Sequence, residues 1–295
     1  MAIKKHIKAP SGFTLMELLV VIAIIMTLIG ILVPGIRGVK RIAKNLEQKS
    51  LFHALDIGLE TYRKDFGDFP ESKRKTHGSL FYTGSQHLAE AMVGRDSRGF
   101  EPSQAGRWQW PGEPSGSILY TTDSKSLSRR KPHYVNLKDT GAFIPGNLYG
   151  SSNTGDVVSE NDGQRAPVIA DMFYRKKITT ANNETVKVGS PILYYKANRS
   201  SMEFKKDASG IALNEFDKWK FNYKDNMDIV NLGTIEEPVS TENPVRLTQE
   251  EFYKSITDLK APFDRPMNED TYILISAGYD GIFGTKDDVT NIKIK

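Results

Sequence analysis

The apolar run between Phe13 and Val33 constrains this chain more than any other feature of its sequence. These 21 residues carry a single charged side chain, that of Glu17. At 1.5 Å of rise per residue, a helix of this length measures about 31 Å, which matches the hydrocarbon thickness of a bilayer. We therefore predict that residues 13–33 form a membrane-spanning helix.

A short basic leader precedes the apolar run. Residues 1–12 carry three lysines and end in Gly12, and no small-residue cleavage site follows the run before Pro34. An ordinary signal peptide has a shorter apolar region with its cleavage site behind it. The sequence thus predicts cleavage in front of the run, between Gly12 and Phe13, which leaves the apolar helix as the mature N-terminus.

Glu17 lies near the start of the predicted membrane helix. An ionised carboxylate is costly there and marks a functional role. After cleavage, the new amino group of Phe13 can pair with it, either within one chain or between neighbouring subunits. The alternative is that Glu17 merely reaches the level of the lipid headgroups.

The segment GFTLME at residues 12–17, followed by the apolar run, resembles the prepilin signal of type IV pilins and of the pseudopilins of type II secretion. The resemblance implies that a membrane prepilin peptidase cleaves after Gly12 and methylates the amino group of Phe13. It also implies that Glu17 guides subunit registration during assembly. Pro34 falls where the family commonly has a helix-breaking proline, and we expect a kink or local melting there when subunits pack into a filament.

Residues 34–66 predict an amphipathic continuation of the same helix. Apolar residues recur every three to five positions, which indicates one buried stripe. The stripe consists of Ile42, Leu46, Leu51, Leu55, Leu59 and Tyr62. We place the helix end near Asp65, because Gly67 and Pro70 follow it. Residues 59–70 also resemble the helix exit of pseudopilins, which favours a secretion-type subunit.

The long middle of the chain, residues 71–267, gives weak structural signals. Strand-like runs occur at residues 168–174, 191–196 and 219–223, and short helices are predicted at residues 85–93 and 248–259. These signals predict a small antiparallel sheet with long loop insertions. With the N-terminal helix they define an α+β chain, for which the prepilin resemblance implies a pilin-like fold. We assign residues 67–295 to one globular domain.

Catalytic signals are missing from the sequence. It contains no H-E-x-x-H, P-loop, G-x-G-x-x-G or G-x-S-x-G motif, and its five histidines never fall at metal-ligand spacing. It also has no cysteine, which excludes thiol catalysis and cysteine-based metal sites. We therefore predict that the chain is not an enzyme.

A loop rich in glycine and aspartate lies within the C-terminal region, residues 270–295. Residues 277–288 contain three glycines and three aspartates, and Lys286 supplies the sole basic side chain among them. A hard cation such as Ca²⁺ would relieve the repulsion between the carboxylates and accepts backbone carbonyls as further ligands. The spacing is not that of an EF-hand. A solvated Asp-Gly hairpin without metal is the alternative.

The same string of residues, 276–288, resembles the calcium loop of the major pseudopilin. The resemblance implies two side-chain ligands, two further candidates and three backbone carbonyls. In that order they are Asp280 and Asp287, then Asp288 and Ser276, and then Ala277, Ile282 and Thr285.

The basic character of the chain is confined to its N-terminal part. The formal net charge is +4, of which residues 1–12 hold +3 and residues 34–50 hold +4, whereas residues 51–295 hold −2. Nucleic-acid-binding domains concentrate positive charge on the folded domain. The charge distribution thus argues against nucleic acid as a partner.

Together these observations predict a structural subunit of a type II secretion or type IV pilus-like filament. A single pass would anchor it in the bacterial inner membrane, with the globular domain in the periplasm until assembly. The implied partners are a prepilin peptidase, further subunits in a homopolymer or a mixed filament, and an inner-membrane assembly platform. The alternative is a membrane-anchored binding protein or a filament-tip minor pilin, whose residues 71–267 recognise a substrate, a sugar or DNA.

Overall fold

A computed structural model gives the fold as a mixed α+β chain. It describes residues 12–102, 110, 120–137, 141–161, 164–179, 183–201, 203–204, 218–238, 247–262 and 264–292. The predicted leader, residues 1–12, lies outside these ranges except for Gly12. The chain forms two compact units, Met1–Lys44 and Asn45–Lys295. A long N-terminal helix followed by small antiparallel sheets confirms the predicted class and agrees with a pilin-like fold.

Helix α1 spans Leu15–Phe66 and begins inside the apolar run. Every large apolar side chain from Leu15 to Val33 is exposed. By length and composition, α1 is the one helix among the described residues that can cross a membrane. It also continues as a helix through Pro34, and the kink or local melting expected there in a filament stays a prediction for the assembled state.

The second part of α1 packs against the globular unit through one stripe. Leu51, Leu55, Leu59 and Tyr62 are buried, as their spacing predicts. Ile42 and Leu46, which we placed in the same stripe, are instead 62% and 63% exposed, so that part of the prediction is wrong. Along the described part of α1, the first fully buried side chain is that of Gln48.

Helix α1 ends at Phe66, one residue beyond its predicted end. Gly67 adopts a φ of 85° and donates its N–H to the carbonyl of Arg63 at 2.8 Å. A glycine in this left-handed conformation is a common helix terminator. The remaining helices are α2 (Gly84–Val93), α3 (Ser124–Arg129), α4 (Pro145–Tyr149), α5 (Met227–Asn231) and α6 (Gln249–Ser255).

The strands of the described residues are short and pair in antiparallel fashion. They are β1 (Lys75–His77), β2 (Leu80–Tyr82), β3 (Ala142–Phe143), β4 (Glu160–Asn161), β5 (Gln164–Arg165), β6 (Val168–Ile169), β7 (Lys176–Thr179), β8 (Thr185–Val188), β9 (Leu193–Lys196), β10 (Tyr272–Ser276) and β11 (Val289–Thr290). The central sheet has the order β11-β10-β9. Two-stranded sheets join β1 to β2, β3 to β6, β4 to β5 and β7 to β8.

Two of the predicted strands differ from the structure. The run at residues 168–174 is a strand only as far as Ile169, because the Asp171 carboxylate accepts the backbone N–H of Phe173 at 3.1 Å. Such a local hydrogen bond forms a turn that ends the strand. The run at residues 219–223 forms one isolated bridge at Trp219 rather than a strand. Its aromatic residues are core side chains, which mimic a strand pattern.

The central sheet is buried on both faces. Tyr194 of β9 and Leu274 of β10 lie in one apolar core with Leu55 and Leu59 of α1. The alternate residues of the two strands lie in a second core with the aromatic side chains of α6 and its neighbours. Because successive strand residues point to opposite faces, the sheet forms the middle layer between these two cores.

We predict that Leu55→Ala lowers the free energy of unfolding by about 2–5 kcal/mol, because it removes a fully buried side chain from the core under the sheet. Ile57→Ala on the same helix is the matched control, since Ile57 is 56% exposed. Chemical denaturation of the full chain in detergent micelles measures both. Equal losses for the two variants would contradict the packing described here.

Candidate functional site

The start of α1 carries a reciprocal set of hydrogen bonds between Thr14 and Glu17. Glu17 Oε2 accepts hydrogen bonds from the backbone N–H and the hydroxyl of Thr14, both at 2.9 Å. The backbone N–H of Glu17 donates in return to Thr14 Oγ1 at 3.2 Å. This is a capping box, which satisfies unpaired N–H groups at a helix start. The uncleaved chain thus holds the Glu17 carboxylate within its own first turn.

Sequence reasoning missed this partner, although a Thr-x-x-Glu pattern before an apolar run signals it. The charge of Glu17 indicates two other partners, namely the amino group of Phe13, which exists only after cleavage, and the lipid headgroups. Gly12 and Phe13 are both exposed, and a Cβ on Gly12 would meet no described atom within 4 Å. Among the described residues, none covers the peptide bond between them. Pro34, the other predicted assembly residue, lies within α1.

The C-terminal candidate site is the loop between β10 and β11. Gly278, Gly281 and Gly284 all adopt positive φ, which lets the chain reverse direction several times within twelve residues. At Gly278 the space is also closed, because an added Cβ would stand 2.1 Å from the carbonyl oxygen of Asp287. The two ends of the loop approach each other there.

Asp287 is held at the centre of the loop by its neighbours. Its Oδ1 accepts the hydroxyl of Thr285 at 2.6 Å, and its Oδ2 accepts the backbone N–H of Asp280 at 3.0 Å. Partial burial works to raise the pKa of Asp287, but these hydrogen bonds hold it below its usual value. The Asp280 carboxylate in turn accepts the N–H of Ile282 at 2.8 Å. The backbone of Asp280 thus lies against the carboxylate of Asp287, and their service as ligands of one ion stays a prediction.

The two carboxylate oxygens of Asp288 differ in their hydrogen bonding. Its Oδ2 accepts the N–H of Gly284 at 2.8 Å, whereas the buried Oδ1 has no hydrogen-bond partner among the described residues. Burial, together with the charges of Asp280 and Asp287, raises the pKa of Asp288 to about 7, although hydrogen bonds from the backbone oppose the rise. A buried acceptor without a donor is costly.

The loop does not present a finished metal centre. No group of three or more His, Asp or Glu side chains in the described part of the chain stands close enough to hold a metal ion. Ala277 is buried, whereas Ile282 and Thr285 are half-buried. The Thr285 carbonyl accepts the N–H of Asp288 at 3.3 Å. The donor types fit Ca²⁺, but the three carboxylates would have to move to share one ion.

Ser276, a candidate ligand, is fully buried and bonded to Asp171. Its hydroxyl donates to Asp171 Oδ2 at 2.8 Å. Asp171 is fully buried as well, and its Oδ1 accepts the backbone N–H groups of Phe173 and Ser190, both at 3.1 Å. Burial raises the pKa of Asp171 to about 7, although these hydrogen bonds oppose the rise. The Ser276–Asp171 contact anchors the first end of the loop.

Arg175 holds the same end of the loop from outside. Its guanidinium donates to the carbonyl of Gly278 at 3.1 Å and also to that of Tyr279. It lies 3.6 Å from the Glu236 carboxylate. Sequence reasoning missed both Asp171 and Arg175. They stand about a hundred positions from the loop and form no motif with it, so no local signal reveals them.

A further contact joins this segment to α1. The side-chain Oε1 of Gln48 accepts the backbone N–H of Met172 at 2.8 Å, and Gln48 is fully buried. Met172 follows Asp171 directly in the chain. The loop is therefore connected to α1 by a short series of hydrogen bonds through residues 171–175.

Comparison with known proteins identifies the N-terminal part. The family model of the prokaryotic N-terminal methylation motif matches residues 7–33. The chain thus carries a prepilin-type signal at its N-terminus, of the kind that a prepilin peptidase processes. Searches of curated proteins and of solved structures gave no match.

We predict that Gly278→Ala destabilises the C-terminal loop, because the added methyl group meets the Asp287 carbonyl at 2.1 Å. Gly155→Ala is the matched control. Gly155 also has a positive φ, of 52°, but its added Cβ would come no closer than 3.9 Å to a described side chain, that of Leu232. The control should carry only the left-handed penalty of about 1–2 kcal/mol. Equal shifts in melting temperature for the two variants would contradict the close approach of the loop ends.

Proposed function

We propose that this chain is a structural subunit of a type II secretion or type IV pilus-like filament. The observation that carries the proposal is the first part of α1, where a prepilin signal leads into 19 helical residues whose large apolar side chains are all exposed. Nothing in the described chain covers them. Lipid surrounds them before assembly, and the helices of neighbouring subunits replace the lipid in the filament.

The hydrogen bonds of Glu17 suit this change of surroundings. In the precursor, the carboxylate is satisfied by Thr14, which lowers the cost of placing it near the membrane. Cleavage after Gly12 creates a charged amino group on Phe13. In the filament, that group on a neighbouring subunit takes the carboxylate as its partner and sets the register between the two helices.

The role of the chain is mechanical rather than catalytic. Its single pass lies in the bacterial inner membrane, and the globular unit lies in the periplasm until an inner-membrane assembly platform moves the subunit into the filament. The subunit joins copies of itself or related subunits. The negative charge of residues 51–295 leaves nucleic acid without an attractive surface on average.

Ca²⁺ is proposed to bind the C-terminal loop. The uncommitted Oδ1 of Asp288 and the carboxylates of Asp280 and Asp287 support this, because a divalent cation would supply the missing partner and remove their mutual repulsion. The bound ion would supply positive charge only and no redox or acid–base chemistry. Arg175 and Asp171 would hold the first end of the loop in place.

A membrane-anchored binding protein or a filament-tip minor pilin is the second candidate function. A polar cavity of about 470 Å³ in the globular unit favours it. The two functions are compatible, since a subunit that assembles through α1 can also carry a ligand site.

We predict that Glu17→Gln leaves cleavage and methylation intact but abolishes filament incorporation. Glutamine keeps the capping box and removes only the charge that pairs with the neighbouring amino group. Glu47→Gln, at an exposed position of the same helix, is the matched control and should assemble. Mass spectrometry of the N-terminus and the sheared filament fraction measure the two steps. Filaments built from Glu17→Gln subunits, or from uncleaved Gly12→Ile chains, would rule out this assembly mechanism.

We predict that Ca²⁺ raises the melting temperature and that a chelator reverses the rise. Saturation to about one hundred times the dissociation constant would add about 2.7 kcal/mol of stability. Asp287→Asn should remove the response. Asp156→Asn should keep it, because Asp156 is exposed and lies outside the loop. An unchanged melting temperature in wild-type protein with and without the chelator would sink the calcium proposal.

A further inference from the structure

A polar cavity of about 470 Å³ lies within the unit Asn45–Lys295, next to the end of α1. Three separate segments line it, namely residues 68–73 after α1, residues 196–200 at the end of β9, and residues 219–225. Its volume falls in the range of small-molecule binding sites. Neither the prepilin signal nor the C-terminal loop contributes a residue to it.

One part of the lining is an electrically balanced network. The ammonium group of Lys196 lies 2.9 Å from the Asp68 carboxylate and 3.4 Å from that of Glu71. The guanidinium of Arg199 lies 3.2 Å from Asp68. Two cations and two carboxylates thus neutralise one another. They present both hydrogen-bond donors and hydrogen-bond acceptors to the cavity.

Asp225 is committed to the protein itself. Its carboxylate accepts the hydroxyl of Ser72 at 2.5 Å and the backbone N–H of Arg74 at 3.3 Å. The Ser72 oxygen in turn accepts the backbone N–H of Lys196 at 2.9 Å. These bonds join all three lining segments, so this part of the cavity is fixed by the fold.

Lys220 differs from the other lining cations. Its side chain is 9% exposed, and the carboxylate within ion-pair distance among the described residues is that of Asp270, at 3.8 Å. That distance is too long for a hydrogen bond, and Asp270 is 75% exposed, so water screens the attraction. Backbone hydrogen bonds of 2.8 Å to Glu203 and from Asn198 fix the position of Lys220.

The side chain of Lys220 is nearly buried, and a charged group in such a position is stabilised by a close anion or by hydrogen-bond acceptors. Lys220 lines the cavity, so an anionic group that enters the cavity can fill this role. The cavity volume of about 470 Å³ is larger than a small inorganic anion requires. The balanced network of Lys196, Asp68 and Glu71 suits hydroxyl groups, since a hydroxyl both donates and accepts hydrogen bonds.

We propose that this cavity binds an acidic sugar, that is, a pyranose ring that carries one carboxylate. The sugar carboxylate pairs with the Lys220 ammonium. The ring hydroxyls donate to the carboxylates of Asp68 and Glu71 and accept from the side chains of Lys196 and Arg199. A neutral sugar leaves Lys220 without its anion, and a bare phosphate leaves the network without hydroxyl partners. Both should therefore bind more weakly.

The test is isothermal titration of the mature full-length chain in detergent micelles with glucuronate, glucose and inorganic phosphate. Glucuronate should bind at least about tenfold more tightly than either of the other probes. Lys220→Met should lower the glucuronate affinity by about tenfold or more, and Lys220→Arg should retain it. Lys187→Met is the matched control, because Lys187 is exposed and does not line the cavity.

Any of four results would overturn the proposal. They are no heat of binding with glucuronate, equal affinity for glucose, equal affinity for phosphate, and unchanged glucuronate affinity in Lys220→Met. If Lys220→Met does not fold, as circular dichroism would show, the ranking of the three probes on the wild-type chain still decides. The readout does not involve filament assembly or calcium, so failure here is separable from failure of the proposed function.

Discussion

The structure depends on one helix that meets two different surroundings along its length. From Leu15 to Val33 the large apolar side chains of α1 are all exposed, whereas between Leu51 and Tyr62 the helix buries one apolar stripe. The first pattern is stable in lipid or among other apolar helices, and the second requires a folded domain on one side. Helix α1 also contributes to one of the two cores that enclose the central sheet. Anchoring and folding are therefore carried by the same element.

The sequence predicted the features that depend on local periodicity and missed those that depend on distant contacts. The apolar run, the stripe from Leu51 to Tyr62 and the helix end near Asp65 follow from spacing and from glycine and proline. The predicted stripe reaches too far towards the N-terminus, to Ile42. The spacing of apolar residues does not show where the domain begins to cover a helix. The strand predicted to continue to Tyr174 stops early, because the carboxylate of Asp171 bonds to the backbone two residues on.

The candidate sites show the same division. Gly12, Phe13 and Glu17 lie within six consecutive residues, so the sequence alone reveals the motif that they form. The Thr-x-x-Glu pattern that forms the capping box is local as well, since Thr14 and Glu17 are three positions apart. By contrast, Asp171, Arg175 and Lys220 form no pattern with the residues that they serve. Asp171 and Arg175 contact residues roughly a hundred positions away in the sequence, and Lys220 lines a cavity formed by three separate segments. Such contacts exist only in the folded chain.

The hydrogen bond between Gln48 and Met172 gives α1 a mechanical link to the far end of the chain. Tension applied along the helix at Gln48 passes first to the backbone at Met172, then to its neighbour Asp171, and through Ser276 to the base of the C-terminal loop. A load on the helix at this point would therefore reach Ser276, at the base of the C-terminal loop.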